Sequence, residues 1–453
     1  MMRVIPHHPD RTILGLATLL LATALAAGLY AAPLFWLAMA ASVAVGTGFL
    51  AYRQPTAFCV AWLLITSASL EMTLNDLVGT EMYQLTIALV KGMEIALAAL
   101  CALRYGLRGD AFSPIWAYLA MLATGLVHGL YPGLTTADSL RSLIGSAAPF
   151  AFCFCRLPPS WPRAMITATK WCPALVVLAC VPLDLSGIRP LFVDSGGARL
   201  AGLGHPAFLA GVCLPAIYAC LIQLYRQGRR GDLWLLAGNL LILVLTGARA
   251  PLAYAVAVTG ISLVSIRSAV FPPTQRLLLV LAAGAALPVL VLLAGNFSEI
   301  RLFNVVANEA ANLSGRDLLW PAFEAAAAKS PWFGWGIGAG NLVIPPSGQI
   351  AQTLHTWAAH NEYLRMQVEG GQLGRTLLIV LFASWILVHT RYLPAADRRI
   401  MRLVFVAFAC HAFTDNVLIS TPACVLFAFA IAVFARGEAA SDRLTLPDSA
   451  QVA

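Results

Sequence analysis

Apolar runs of membrane-crossing length follow one another along most of this chain, separated by short connections in which arginine recurs. A run of about 17–25 apolar residues spans the hydrocarbon core as a helix, because a helix satisfies its own backbone hydrogen bonds. The pattern predicts spans near 12–30, 33–51, 56–73, 83–103, 111–131, 139–155, 164–184, 203–224, 233–247, 250–266, 277–295, 375–390, 403–414 and 419–435. The last two are short, so the expected fold is an all-α polytopic membrane protein with about 12–14 transmembrane helices. No internal repeat, low-complexity tract or soluble domain is evident, so residues 1–453 read as a single membrane domain.

One stretch departs from the pattern. Residues 296–373 contain no convincing span and read as a large loop inserted into the membrane domain. Within it, Asp317 to Ala328 predicts an amphipathic helix with Leu319, Phe323 and Ala326 on one face. Ser314 is placed to cap that helix, and Asp317 suits its dipole. The following PWFGWGIGAGN, residues 331–341, reads as a flexible Gly/aromatic turn able to lie at the interface, where Trp is favoured. A second outward loop, 185–202, leads into GLGHPAFLAG.

Composition agrees. The chain is 60% hydrophobic and 11% charged, whereas a soluble domain carries about 25% charge. The net charge of +8 reports topology rather than nucleic-acid binding. With the N-terminus (Arg3, Arg11) in the cytoplasm and alternating spans, the inner connections hold Arg53, Arg104, Arg108, Arg156, Arg163, Arg226, Arg229 and Arg230. They also hold Arg267, Arg276, Arg391, Arg398, Arg399, Arg402, Arg436 and Arg443, while Asp76, Glu81, Asp138, Asp194, Glu299, Glu309 and Asp317 lie opposite. That asymmetry is the positive-inside signal, with both termini cytoplasmic and the large loop periplasmic. The first span resembles a signal peptide, with AAGLYAAP as a cleavage-like site, and is expected to stay as a signal-anchor. All ten cysteines fall in predicted spans and read as apolar packers, including the CxC pair Cys153 and Cys155.

The candidate chemistry is defined partly by absence. There is no Walker A loop, no HExxH and no outward acidic pair of the kind that holds a divalent metal against phosphates. Arginine and histidine remain: Arg141, Arg189, Arg199, Arg249, Arg301, Arg316, Arg365 and Arg375, with His205, His355 and His360. Arg249, in VLTGARAPLAYAV, stands at the outer membrane boundary, where an arginine is costly unless it snorkels to headgroups or meets an anion. Its planar fork suits phosphate oxygens. Arg316 opens the loop helix and has Asp317 and Glu309 as alternative ion-pair partners. Arg199 at the outer end of span eight is equally readable as solvated. His360 precedes a helix on which Leu364 and Gln367 share its face; Glu369 lies roughly opposite and pairs with Arg365 or caps the Gly370–Gly371 bend. Inside the membrane, Lys91 and Glu94 read either as an i,i+3 pair or, with Lys170, as a transport pathway.

Taken together, HNEYLRMQVEGGQLG (360–374), TGARAPL (246–252), SGRDLLW with PWFGWGIGAGN, and DNVL from Asp415 resemble, in order, the signatures of the O-antigen ligase and polymerase superfamily. The resemblance covers about residues 195–420 and departs at Ala248, where the family usually has Ser. It implies a glycosyltransferase C-type fold and metal-independent, inverting glycosyl transfer at the periplasmic face of a bacterial inner membrane, with no cofactor. It also implies a glycan donor on undecaprenyl diphosphate and, for a ligase, a lipid A–core acceptor. On this reading His360, Arg249 and Arg316 are the catalytic candidates. Arg199, Arg301, His205, Asn361, Glu369 and Asp415 are the substrate-binding candidates, in a monomer surrounded by membrane lipids. Ligase ranks first because one outer loop dominates, whereas polymerases of this superfamily tend to show two sizeable ones. Polymerase, protein O-oligosaccharyltransferase and transporter follow.

Overall fold

The computed structural model describes residues 45–281 and 316–445, apart from 79, 195–196, 269–270 and 355. The expected spans 12–30 and most of 33–51 and 277–295, together with Ser314 and Arg301, lie outside the described residues. The described chain is helical almost throughout. It runs α1 (Pro55–Ala68), α2 (Leu70–Val78), α3 (Thr80–Tyr105), α4 (Ile115–His128), α5 (Thr136–Ala147) and a 3₁₀ segment (Ala148–Phe154). Then come α6 (Trp161–Leu185), a hairpin of β1 (Phe192–Asp194) and β2 (Ala198–Leu200), α7 (Pro206–Gln227), α8 (Arg230–Leu245) and α9 (Arg249–Ser265). The loop region supplies α10 (Arg316–Lys329) and α11 (Gln349–Leu354), and α12 (Glu362–Thr390), α13 (Ala395–Ala412) and α14 (Thr421–Thr445) close the chain.

Among the described residues, Leu85–Tyr105, Trp161–Leu185, Pro206–Gln227 and Glu362–Thr390 are long and apolar enough to cross a membrane. Shorter apolar helices at Pro55–Ala68, Ile115–His128, Arg249–Ser265 and Thr421–Gly437 accompany them. The chain is an all-α polytopic membrane protein. α7 is its axis, packed by α6, α8, α9, α13 and α14. Its residues Leu209 to Tyr225 are almost all buried, since a helix apolar on every side can be covered only by other helices or lipid.

Side-chain and backbone contacts gather the arginine-bearing connections at one end. Arg104 Nη1 donates to the Arg53 carbonyl at 2.7 Å, the Arg108 amide to Phe154 O at 3.0 Å, and Arg226 pairs with Asp397. The opposite end carries the hairpin, the α4–α5 connection and the loop region. Ser139 Oγ donates to Ile337 O at 2.8 Å and the Tyr131 amide to Trp335 O at 3.1 Å.

Five local expectations change. The predicted span 139–155 is an α-helix that turns into a 3₁₀ segment, because Pro149 has no N–H to continue the ladder. The outward loop 185–202 contains a two-stranded hairpin pairing Phe192 with Leu200. Lys91 makes no hydrogen bond with Glu94; its ammonium donates instead to two backbone carbonyls, of Gly145 and Ile419. The cysteines are free, and of the ten only Cys410 is exposed. Cys155 lies beyond its span, in an isolated bridge to Leu107.

The fifth change concerns the Gly/aromatic turn, which is pinned rather than flexible. α12 breaks at Gly371, whose φ is 59°. In an unbroken helix the Gln372 and Leu373 amides would bond the carbonyls of Val368 and Glu369. Here those amides donate to Pro331 O (2.8 Å) and Trp332 O (3.1 Å), and the freed carbonyls accept from Trp335 (2.9 Å) and Gly336 (3.0 Å). The turn thus completes the helix's hydrogen bonding, which buried backbone groups require. α10 seals it, burying the expected face of Leu319, Phe323 and Ala326 in a second apolar core with Val368, Ala339 and Ile344.

Candidate active site

The broken helix sets the position of His360. Asn361 caps α12, its Oδ1 accepting the Leu364 amide at 3.1 Å, so the preceding residue must turn sharply into the helix. His360 makes that turn with φ of 48°, a left-handed conformation that is uncommon outside glycine and concentrates at functional sites. Its ring is clamped at both nitrogens: Nδ1 lies 3.0 Å from Asp415 Oδ1 and Nε2 3.2 Å from Thr356 Oγ1. The side chains of His360 and Asp415 remain 34% and 41% exposed, open enough to meet a substrate.

Asp415 sits on the connection between α13 and α14. Burial pushes its carboxyl upward, but the hydrogen bond and charge of His360, the charge of His411 and the Asn416 amide together hold it below the ordinary carboxylate value. It is therefore an ionised acceptor at neutral pH. With Nδ1–H donating to it, Nε2 is left as the basic nitrogen.

Arg316, at the first turn of α10, reaches the same connection. Its Nη2 donates to Thr414 O at 2.7 Å, while its Nε is buried with no partner among the described residues. Arg249 is exposed at the first position of α9. One turn along that helix, the Tyr254 ring stands 5.4 Å from that of His411, and the His411 carbonyl accepts the Asp415 amide at 3.0 Å. Arg249 thus shares the end of the bundle that holds His360, Asp415 and Arg316. Arg199 on β2 is 8% exposed and donates from Nε to Thr246 O at 2.8 Å, just before Arg249.

The remaining described candidates make contacts within the fold. His205 caps α7, its Nδ1 accepting the Ala207 amide at 3.2 Å. Glu369 is fully buried and accepts from Arg365 Nη1 at 2.9 Å; Arg365 also pairs with Glu362, one turn earlier. Glu369 therefore braces the Gly371 break from inside. Among the described residues no three His, Cys, Asp or Glu side chains converge as a metal-ligand set.

Residues 233–379 match the family model for the O-antigen ligase domain. Over that segment the chain is similar to the O-antigen ligase family. No curated protein matches it. The matched segment contains Arg249, Arg316, His360 and Glu369, begins after Arg199 and His205, and ends before Asp415. The family implies glycosyltransferase-like activity of ligase or polymerase type, on a lipid-linked glycan and a lipid acceptor.

Two contacts of the candidate site are not evident from the sequence alone. Thr356 stands out in no motif, although TLHTWAAHN (353–361) places its hydroxyl four residues before His360. Asp415, expected as a substrate contact, also pairs with the His360 imidazole, and their separation of 55 positions hides that pairing from any local pattern.

Proposed function

We propose that the protein is an O-antigen ligase, transferring a glycan from undecaprenyl diphosphate to lipid A–core at the periplasmic face of the inner membrane. The observation carrying this reading is the oriented His360–Asp415 pair meeting an arginine, Arg316, on one connection. An acceptor sugar hydroxyl approaches Nε2, as the Thr356 hydroxyl does now. Its oxygen attacks the anomeric carbon from the face opposite the leaving group. The bond between that carbon and the diphosphate oxygen breaks with inversion, and the hydroxyl proton passes to Nε2. Asp415 stabilises the imidazolium so formed. The diphosphate departs with its electron pair, and its low basicity makes charge stabilisation more useful than protonation. Arg249 and Arg316 supply that charge without a metal, with Arg199 beside them. The glycosyltransferase C-type architecture implied by the motifs accords with this helical scaffold.

The test is reconstitution of the purified protein in vesicles with a lipid-linked glycan donor and lipid A–core, in excess chelator. Glycan appearing on lipid A–core supports the ligase reading. Lengthened lipid-linked glycan with no modified core would replace it with polymerase, and activity only after a divalent ion is restored would refute the metal-independent step.

A further inference from the structure

One buried charge plays no part in that chemistry. Lys91 lies within α3, 4% exposed, at a depth where an unpaired ammonium is costly. Its Nζ donates to Gly145 O at 2.8 Å and to Ile419 O at 2.9 Å. Both carbonyls stand where proline has removed a donor. The residue four after Gly145 is Pro149, and the residue three after Ile419 is Pro422, neither of which has an N–H. Lys91 therefore donates to one carbonyl near the end of α5 and to another in the connection just before α14.

The second carbonyl matters more. Ile419 belongs to the connection 413–420, four residues after Asp415 and five after Thr414, whose carbonyl takes Arg316. At the end of that connection the Thr421 hydroxyl donates to Glu71, which is fully buried on α2. Glu94, the other acid facing this cluster, is also fully buried, with neither carboxyl oxygen hydrogen-bonded among the described residues. The connection is thus anchored from inside the membrane at 419 and 421 and presents its other half to the imidazole.

We infer that Lys91 is a positioning residue for glycosyl transfer: with Glu71 it fixes the 413–420 connection, and through Asp415 it sets the orientation of His360. The inference rests on the transfer reading above. Four variants test it in the intact protein: Lys91→Met, Lys91→Arg, Asp415→Asn and the Lys91→Met/Asp415→Asn double. Lys91→Met is expected to lower kcat by about tenfold or more while the donor KM moves by less than about twofold. The double variant should be no slower than Asp415→Asn, because the two act through one element, and Lys91→Arg should recover most of the rate. Hydrogen exchange in detergent gives a readout independent of catalysis. Amides of 413–420 should exchange about tenfold faster in Lys91→Met, with those of α7 unchanged. Multiplying rate losses, unchanged exchange at 413–420, or exchange raised along the whole chain would overturn the inference. If Lys91→Met does not fold, Thr421→Val removes only the Glu71 anchor and carries the same readouts. Should the wild-type protein transfer no glycan, the transfer reading falls, while the exchange result still decides the anchoring.

Discussion

His360 Nδ1 stands 3.0 Å from Asp415 Oδ1, joining the start of α12 to the connection before α14 across 55 positions of sequence. The pair gives the imidazole a fixed orientation and leaves Nε2 facing a hydroxyl, the arrangement a positioned base requires.

The arginines should separate from the histidine in their kinetics. Arg249→Ala and Arg316→Ala are each expected to weaken donor binding roughly ten- to a hundredfold, since losing one charge-assisted contact costs about 1.5–3 kcal/mol. Arg249→Lys should rescue poorly, because an ammonium lacks the two-pronged geometry. Titration of vesicle-bound protein with the lipid-linked donor measures this, and unchanged affinity in both alanine variants would remove the arginines from the diphosphate.

The depressed Asp415 carboxyl ties stability to pH with a definite sign. A group held below its ordinary value binds its proton more weakly in the folded protein, so protonation favours unfolding. Its contribution is complete above the ordinary carboxylate pKa, about 4, and is lost as pH falls through the lower folded value. Thermal unfolding in detergent across that acid range should show a loss that Asp415→Asn largely removes. A variant curve parallel to wild type would contradict the linkage.

Gly371 has no room for a side chain. A Cβ there would lie 2.4 Å from the Trp332 carbonyl carbon and oxygen, and φ is 59°. Gly371→Ala should destabilise the protein by about 1–3 kcal/mol or more, through strain and loss of the turn's hydrogen bonds. The thermal midpoint measures it, and a change of less than about a degree would mean that the turn yields freely.

The two ends of the bundle should label from opposite sides. Ser347, exposed in the loop region, and Gln227, exposed at the end of α7, are suited to single-cysteine probes. A membrane-impermeant reagent outside intact inner-membrane preparations of periplasmic-facing orientation should reach Ser347→Cys and miss Gln227→Cys. Labelling of Gln227→Cys alone would invert the topology.

Much of this was legible in the sequence because membrane burial writes itself into long apolar runs. The α6 and α7 spans, and the face of α10 bearing Leu319 and Phe323, follow from hydropathy and periodicity alone. The arginine asymmetry anticipated which connections meet, as the Arg104–Arg53 and Arg226–Asp397 contacts illustrate. The His360 motif and the Arg365–Glu369 pair were readable because they lie within one helix and its cap. What stayed hidden is non-local. The exchange of amides between 331–336 and 368–373, the Asp415–His360 pair and the bond from Lys91 to Ile419 each join segments with no shared period. The capping bond of His205 to the Ala207 amide, by contrast, is local, set by a histidine beside proline at a helix start.

The central claim is that His360 acts as the oriented base, and the most direct measurement is single-turnover glycan transfer by His360→Ala, paired with donor binding by the same variant. A folded His360→Ala protein, with a wild-type thermal midpoint, should bind the lipid-linked donor within about twofold of wild type and transfer about a hundredfold more slowly or worse. Transfer at close to the wild-type rate would contradict the account and leave His360 as a residue that only shapes the entry to α12.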